Sequence, residues 1–220
     1  MDIDKYLFQK RQEIIKKCKK CHGENPFCDC VLRYNLEIKK VQSNIPEILL
    51  DVNIKSLSLS DTCKDKLNKF CIDTNRVLYV EGGGAIERNS VASITLKSFI
   101  KKGKTVDYVT PFRLSNIAVN WRKEVFEEYN LLVRTDIIAL TDIGDERRSE
   151  NMSTEKLVNS LLRERIYSDK KTIITSSLAL EEFSKEYVKD SSIYGQGFMI
   201  ITLPTVKSIK DIFKDLREGV

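Results

Sequence analysis

The sequence holds one histidine, His22, and one tryptophan, Trp121, among 220 residues. A lone histidine excludes most histidine-based catalysis and histidine-rich metal sites. No apolar run approaches the roughly 20 residues that span a bilayer. The first stretch, MDIDKYLFQKRQEIIKK, is charged and lacks an apolar h-region, so it does not read as a signal peptide. Neither sign of charge is in large excess: 37 Lys+Arg meet 32 Asp+Glu, a net +5. That balance permits contact with nucleic acid without demanding it. Internal repeats and low-complexity tracts are missing too. What is there is a globular mixture, 41% hydrophobic and 31% charged. The length suits one ordinary domain plus a small appendage, with a core that needs no staples.

With no secretory route, the expected location is cytoplasmic, and the six cysteines read as thiols or metal ligands before disulfides. Four of them, Cys18, Cys21, Cys28 and Cys30, fall within thirteen residues in the pattern C-x2-C-x6-C-x-C. Two close pairs on a short hairpin can surround one tetrahedral Zn²⁺. Gly23, Asn25 and Pro26 supply the turn between them. His22 could replace one thiolate, but four cysteines already complete the shell. A closed four-cysteine site leaves no open position for substrate, so the expected zinc is structural, supplying most of the folding energy of this segment. Cys63 and Cys71 lie apart in a helical stretch and read as small core residues.

Residues 1–17 read as a charged helix leading into the knuckle, and 31–43 as a connecting helix that Asn44-Ile45-Pro46 breaks. From about residue 60, helices alternate with short apolar strands. Strands are expected at 77–80, 105–109, 136–141, 172–175 and 197–202. Helices are expected at 60–74, 90–102, 114–129, 153–167, 179–188 and 206–218. Trp121 and Phe112 read as packing aromatics. Such alternation predicts an α/β fold, a parallel sheet covered by helices on both faces. Ligands then sit at the carboxyl ends of the strands, just after residues 80, 109, 141 and 175.

After the first strand comes Glu81-Gly82-Gly83-Gly84-Ala85-Ile86-Glu87-Arg88-Asn89-Ser90, in the position of a phosphate-binding loop. The standard pattern is G-x4-G-K-[ST]. Neither register from Gly82 or Gly83 supplies the lysine; Arg88 and Asn89 stand at or beside the Lys-Ser/Thr places. Glu87 would put a negative charge against a polyphosphate, and a planar guanidinium is no substitute for a compact ammonium. A glycine turn that only links strand to helix is the competing reading. The third strand ends Thr141-Asp142, where an acidic pair would hold Mg²⁺. The fourth ends Thr175-Ser176-Ser177, where a polar group would position water.

These residues resemble the DnaC/DnaI-type helicase loaders, which share an AAA+ ATPase module of P-loop NTPase fold with the IstB transposition ATPases. Leu140 to Arg147 (LTDIGDER) resembles that family's hhDDhGxER strand end, and Arg165 to Glu182 resembles its RYxxxxPTIITSNLxLEEL stretch. Asn44-Ile45-Pro46 resembles the lead-in, and the cysteine knuckle a zinc element found ahead of the module. The resemblance covers about residues 44–203 and divides the chain into 1–43 (helix, knuckle, connector) and 44–220 (AAA+-like module). It implies strand order 5-1-4-3-2, a replicative helicase as partner, single-stranded DNA as a second, and a homo- or hetero-oligomer. It also marks the departures: Arg88 for the loop lysine, Asn89 for Ser/Thr, Thr141 for the first acid, Ser177 for the sensor asparagine, and Ser192 near an expected arginine. Little chain follows the last strand to complete an ATP site.

The expectation is therefore a replication protein with a degenerate nucleotide site (Gly82, Gly83, Gly84, Arg88, Asn89) and remnant catalytic positions Asp142 and Ser177. It reads as a pseudo-ATPase, with ATP and Mg²⁺ doubtful, and its small size fits a phage or mobile element. Two alternatives stay open: a working ATPase in which Arg88 does the lysine's task, and an IstB-like transposition regulator. Lys101, Lys102, Lys104, Arg147 and Arg148 are the candidate DNA contacts; Arg163, Arg165, Lys170 and Lys171 are further basic residues near helix or strand ends.

Overall fold

The computed structural model describes residues 3–21, 23–119, 123–144, 153–188 and 197–204. Two helices, α1 (Ile3–Lys16) and α2 (Asp29–Gln42), flank the cysteine segment, and a short α3 (Glu47–Leu50) follows. Then come α4 (Asp61–Ile72), β1 (Val77–Gly82), α5 (Ala85–Lys101), β2 (Val106–Val109), α6 (Pro111–Val119), α7 (Lys123–Arg134) and β3 (Ile137–Ile143). The last described elements are α8 (Ser153–Tyr167), β4 (Lys171–Ser176), α9 (Leu180–Tyr187) and β5 (Phe198–Leu203). The expected closing helix at 206–218 lies outside the described residues, as do His22, Trp121, Arg147, Arg148 and Ser192.

The five strands are parallel, in the order β2-β3-β4-β1-β5. Read from the β5 edge this is the expected 5-1-4-3-2. Side chains alternate across the sheet, as period-2 strands must. Val77, Tyr79, Ile138, Leu140 and Ile174 enter a core under α6, α7, α8 and α9. Leu78, Val80, Ile137, Ala139 and Ile173 enter a second core under α4 and α5. Tyr6 of α1 belongs to that second core, so the N-terminal helices pack on the same layer as α5.

Helix α5 is central and its buried residues go nearly all round it, including Lys97. The Lys97 ammonium donates to the carbonyls of Leu49 (2.9 Å), Leu50 (3.1 Å) and Val52, closing the open C-terminal end of α3. Burial pushes its pKa down to about 8. The Asn44 lead-in breaks the chain through a left-handed turn (φ 56°), and its amide donates to Asp107 of β2 at 2.8 Å.

Two expectations need correcting. The single helix at 114–129 is two helices. Pro111 starts α6 early, at the position where its missing N–H is harmless. Arg113 then fastens α6 to α7 through Glu128 at 2.5 Å and to Asp107 at 2.8 Å. Phe112, read as a packing aromatic, is 76% exposed.

Candidate functional site

The carboxyl ends of β1, β3 and β4 meet at one place, and the residues singled out there do come together. Strand β1 runs on to Gly82 and α5 begins at Ala85, so only Gly83 and Gly84 connect them. Glu87, Arg88 and Asn89, expected in a loop, lie in the first turns of the helix.

The glycines have a local reason. Gly82 and Gly83 both have left-handed backbones, φ 72° and 57°. A Cβ on Gly82 would stand 2.4 Å from the Leu203 carbonyl oxygen of β5, and one on Gly83 would stand 3.0 Å from Leu203 Cβ. At Gly84 the obstacle is the Glu87 carboxylate, which folds back to 2.4 Å from where a Cβ would be. That carboxylate occupies the helix N-terminus, the usual place for a bound anion.

Arg88 is 4% exposed and turns back over the connection. Its Nη1 donates to the carbonyls of Gly83 (3.0 Å) and Gly82 (3.3 Å), and its Nη2 lies 3.7 Å from Asp142 Oδ1. Asp142, one residue before the end of β3, has a left-handed backbone, φ 50°. Its other carboxylate oxygen accepts from the Asn89 amide at 2.6 Å. The Thr175 hydroxyl of β4 donates to Asn89 Oδ1 at 2.8 Å and accepts from the Asp142 N–H at 2.9 Å. Asn89, Asp142 and Thr175 therefore form a closed ring of hydrogen bonds that clasps three elements.

Thr175 and Glu81 appear in the sequence reading only within their strand-end stretches, with no role of their own. Thr175 is fully buried in a strand, a signal visible only as a polar residue in an apolar run. Glu81 accepts from the Leu180 N–H (2.8 Å) and the Thr202 hydroxyl (2.9 Å), fixing the start of α9 against β5. Thr141 donates to the Val109 carbonyl at 3.1 Å, and Ser177 is exposed just past β4. Beside the turn lies a hollow of about 480 Å³, lined largely by Leu57, Leu59, Ile86, Glu87, Leu203 and Pro204.

Removing Arg88 takes away the cation that faces Asp142 and the donor to two carbonyls. Arg88→Ala is expected to cost about 2–4 kcal/mol in urea unfolding. The double variant with Asp142→Ala should cost clearly less than the two single losses together, because the pair is coupled. Strict additivity would mean that the 3.7 Å pair carries no energy.

Lys101 ends α5, and Lys102 and Lys104 follow it just before β2, at the amino ends of the strands, whereas Asp142 lies near the carboxyl end of β3. Lys102 donates to the Cys71 carbonyl at 2.9 Å. Arg165 is fully buried, which corrects its reading as a basic residue at a functional end, and Lys171 donates to the carbonyls of Phe70, Asp73 and Asn75.

At the other site, the Sγ atoms of Cys18, Cys21, Cys28 and Cys30 lie within 4.8 Å of one another. The pairs 18–21, 18–28 and 21–30 are 3.9, 3.7 and 3.4 Å apart. Four thiolates about 2.3 Å from a shared ion stand about 3.8 Å apart, so the cluster fits one tetrahedral metal ion. The Cys21 N–H points at Cys18 Sγ at 3.4 Å, and with the Lys20 N–H it draws the Cys18 thiol down to about 6. Gly23 must be glycine here: φ is 93° and a Cβ would press on Ile15 Cδ1 at 2.8 Å.

No protein-family model matches the chain, and no curated protein matches it. Solved structures do. A DnaI structure superposes with TM-score 0.57 at 16% identity, over 71% of this chain and 93% of that one. The DnaC helicase loader gives 0.55 at 18%, over 71% and 99%. The chain has the fold of the DnaC-type AAA+ loaders. A DnaA structure bound to AMPPCP and single-stranded DNA gives 0.55 at 16%, over 80% of this chain and 55% of that one. Among the described residues no helix is long and apolar enough to cross a membrane.

Proposed function

We propose that this protein is a helicase-loader-like DNA replication protein that works by binding rather than by ATP hydrolysis. The observation that carries the second half is the two-residue connection from Gly82 to Ala85 with Arg88 folded over it. A phosphate cradle needs backbone N–H groups turned inward around an anion. Here carbonyls of Gly82 and Gly83 meet an internal guanidinium, and Glu87 stands at the helix N-terminus. Asn89 donates to Asp142 where a metal ion would bridge them. Charges that a nucleotide and its cation would supply are thus supplied by the chain itself. Phosphoryl transfer depends almost wholly on positioning and electrostatics, so these replacements disable it.

The first half rests on the fold and on the strand-end stretches at 140–147 and 165–182. A replicative helicase is the main partner, with single-stranded DNA as a second. The four cysteines hold a structural zinc, residues 1–43 act as the partner-binding part ahead of the module at 44–220, and the protein works in the cytoplasm.

Two measurements test this. Purified protein with labelled ATP and Mg²⁺ is expected to give turnover at background and no saturable binding. Turnover lost on Asp142→Ala, or tight Mg²⁺-dependent binding lost on Arg88→Ala, would establish an ATPase with Arg88 in the lysine's role. Co-purification is expected to recover the replicative helicase; recovery of a transposase instead would favour an IstB-like regulator.

A further inference from the structure

The net charge of this protein is concentrated in one place. Residues 3–20 contain seven of the 37 Lys+Arg and two of the 32 Asp+Glu, so they carry +5. Everywhere else thirty basic residues meet thirty acidic ones. The surplus therefore sits on α1 and the first half of the cysteine segment. A locally unbalanced basic arm on a neutral body is an electrostatic footprint for a polyanion.

The side chains are arranged to use it. Lys16, Lys17, Lys19, Lys20 and Arg33 are exposed, and among the described residues none of the five is in an ion pair. Lys17, Lys19, Lys20, Arg33, Asn25 and Phe27 line one hollow of about 520 Å³ against the cysteines. Phe27 is 88% exposed, more than any other large hydrophobic side chain described. The backbone that carries it is held in a turn, because the Phe27 N–H donates to Asn25 Oδ1 at 2.9 Å and the Cys28 N–H donates to the Asn25 carbonyl at 3.0 Å. An exposed aromatic ring among unpaired cations is the combination that binds single strands: cations follow the phosphates and the ring stacks on an unpaired base. A dication held by four thiolates adds two negative charges nearby, yet with Arg33, Glu24 and Asp29 included the segment 3–33 stays positive.

We propose that the cysteine segment is a single-stranded nucleic-acid site, with Phe27 as stacking platform and Lys17, Lys19, Lys20 and Arg33 as phosphate contacts. This deepens the DNA part of the proposed function and does not depend on the helicase part. It also moves the DNA contact away from Lys101, Lys102 and Lys104.

The test is fluorescence anisotropy of a labelled oligothymidylate of about 20 nucleotides with the full-length, metal-loaded protein across a salt series. Lys19→Glu/Lys20→Glu is expected to weaken binding at least tenfold and to flatten the slope of log K against log salt by about 1.4, two phosphates at about 0.7 each. Phe27→Ala should weaken binding about tenfold and leave the slope unchanged. Lys101→Glu/Lys102→Glu should have little effect. Metal content and far-UV circular dichroism show whether each variant is folded. Wild-type binding that both knuckle variants retain, binding of duplex as tight as single strand, or no binding by wild type overturns the proposal. The helicase co-purification is read separately: helicase recovered without oligonucleotide binding defeats this site alone. Oligonucleotide bound at the knuckle without helicase defeats the loader reading alone.

Discussion

Arg165→Met is expected to cost about 3–5 kcal/mol, a large share of the roughly 5–15 kcal/mol that holds a domain folded. Arg165 is fully buried on α8. Its guanidinium donates to the carbonyls of Leu132, Val133 (3.3 Å), Thr135 (2.8 Å), Asp136 (3.4 Å) and Lys171, and to the Thr172 hydroxyl (3.0 Å). One side chain thus satisfies the open carbonyls at the end of α7 and joins them to the starts of β3 and β4. Burial lowers its pKa to about 9, so it is still charged at neutral pH. Methionine keeps much of the volume but leaves those carbonyls without their donor. Lysine should rescue only part, since three donors on one nitrogen do not match a planar fork. Urea unfolding checks this: the midpoint should fall with the slope unchanged. A loss below about 1 kcal/mol would mean that the carbonyls find water or other donors.

Chelation of a metal ion held by the four cysteines is the second large expected effect. The cysteine segment has little core of its own: among its described residues Cys30 is the one buried, while Phe27 is exposed. In small structural sites metal binding supplies about 10–16 kcal/mol of folding free energy. A strong chelator is expected to abolish amide protection at residues 18–30 while the sheet stays protected, because none of the described residues of that segment enters either main core. Thiol reactivity gives a second readout. Four of the six cysteines should be slow towards a thiol reagent before chelation and fast after it. Cys63 and Cys71 should not change. Six thiols that react alike in the metal-loaded protein would exclude the site.

Much of the fold was legible because it rests on periodicity. Val77–Val80 and Ile137–Leu140 are continuous apolar runs, and such runs buried on both faces announce a parallel sheet. The cysteine spacing was legible for a similar reason: it is a local pattern that a short hairpin can close. The strand-end site was read less well. Spacing placed Arg88, Asn89 and Asp142 at the right ends, but it could not tell that Arg88 turns back onto Gly82 and Gly83. That direction is set by helix α5 starting at Ala85, and a helix boundary is the weakest part of any pattern. Thr175 was named at its strand end, but its part in the ring was invisible because its partners, Asn89 and Asp142, are 86 and 33 positions away. Arg165 was misplaced for the opposite reason. A basic residue near a helix end usually faces solvent, and only the convergence of α7, β3 and β4 makes a buried guanidinium affordable there.

The close approach of Leu203 to Gly82 bears on how such a chain changes over generations. A methyl group at position 82 would collide with a backbone oxygen, and a backbone cannot step aside as a side chain can. Selection for a folded sheet is therefore enough to hold that glycine, whether or not any phosphate ever rests there. Side chains that meet no such backbone obstacle are under no comparable steric demand, so this glycine can persist where its neighbours change. Packing against β5 alone is reason enough for a glycine at this position.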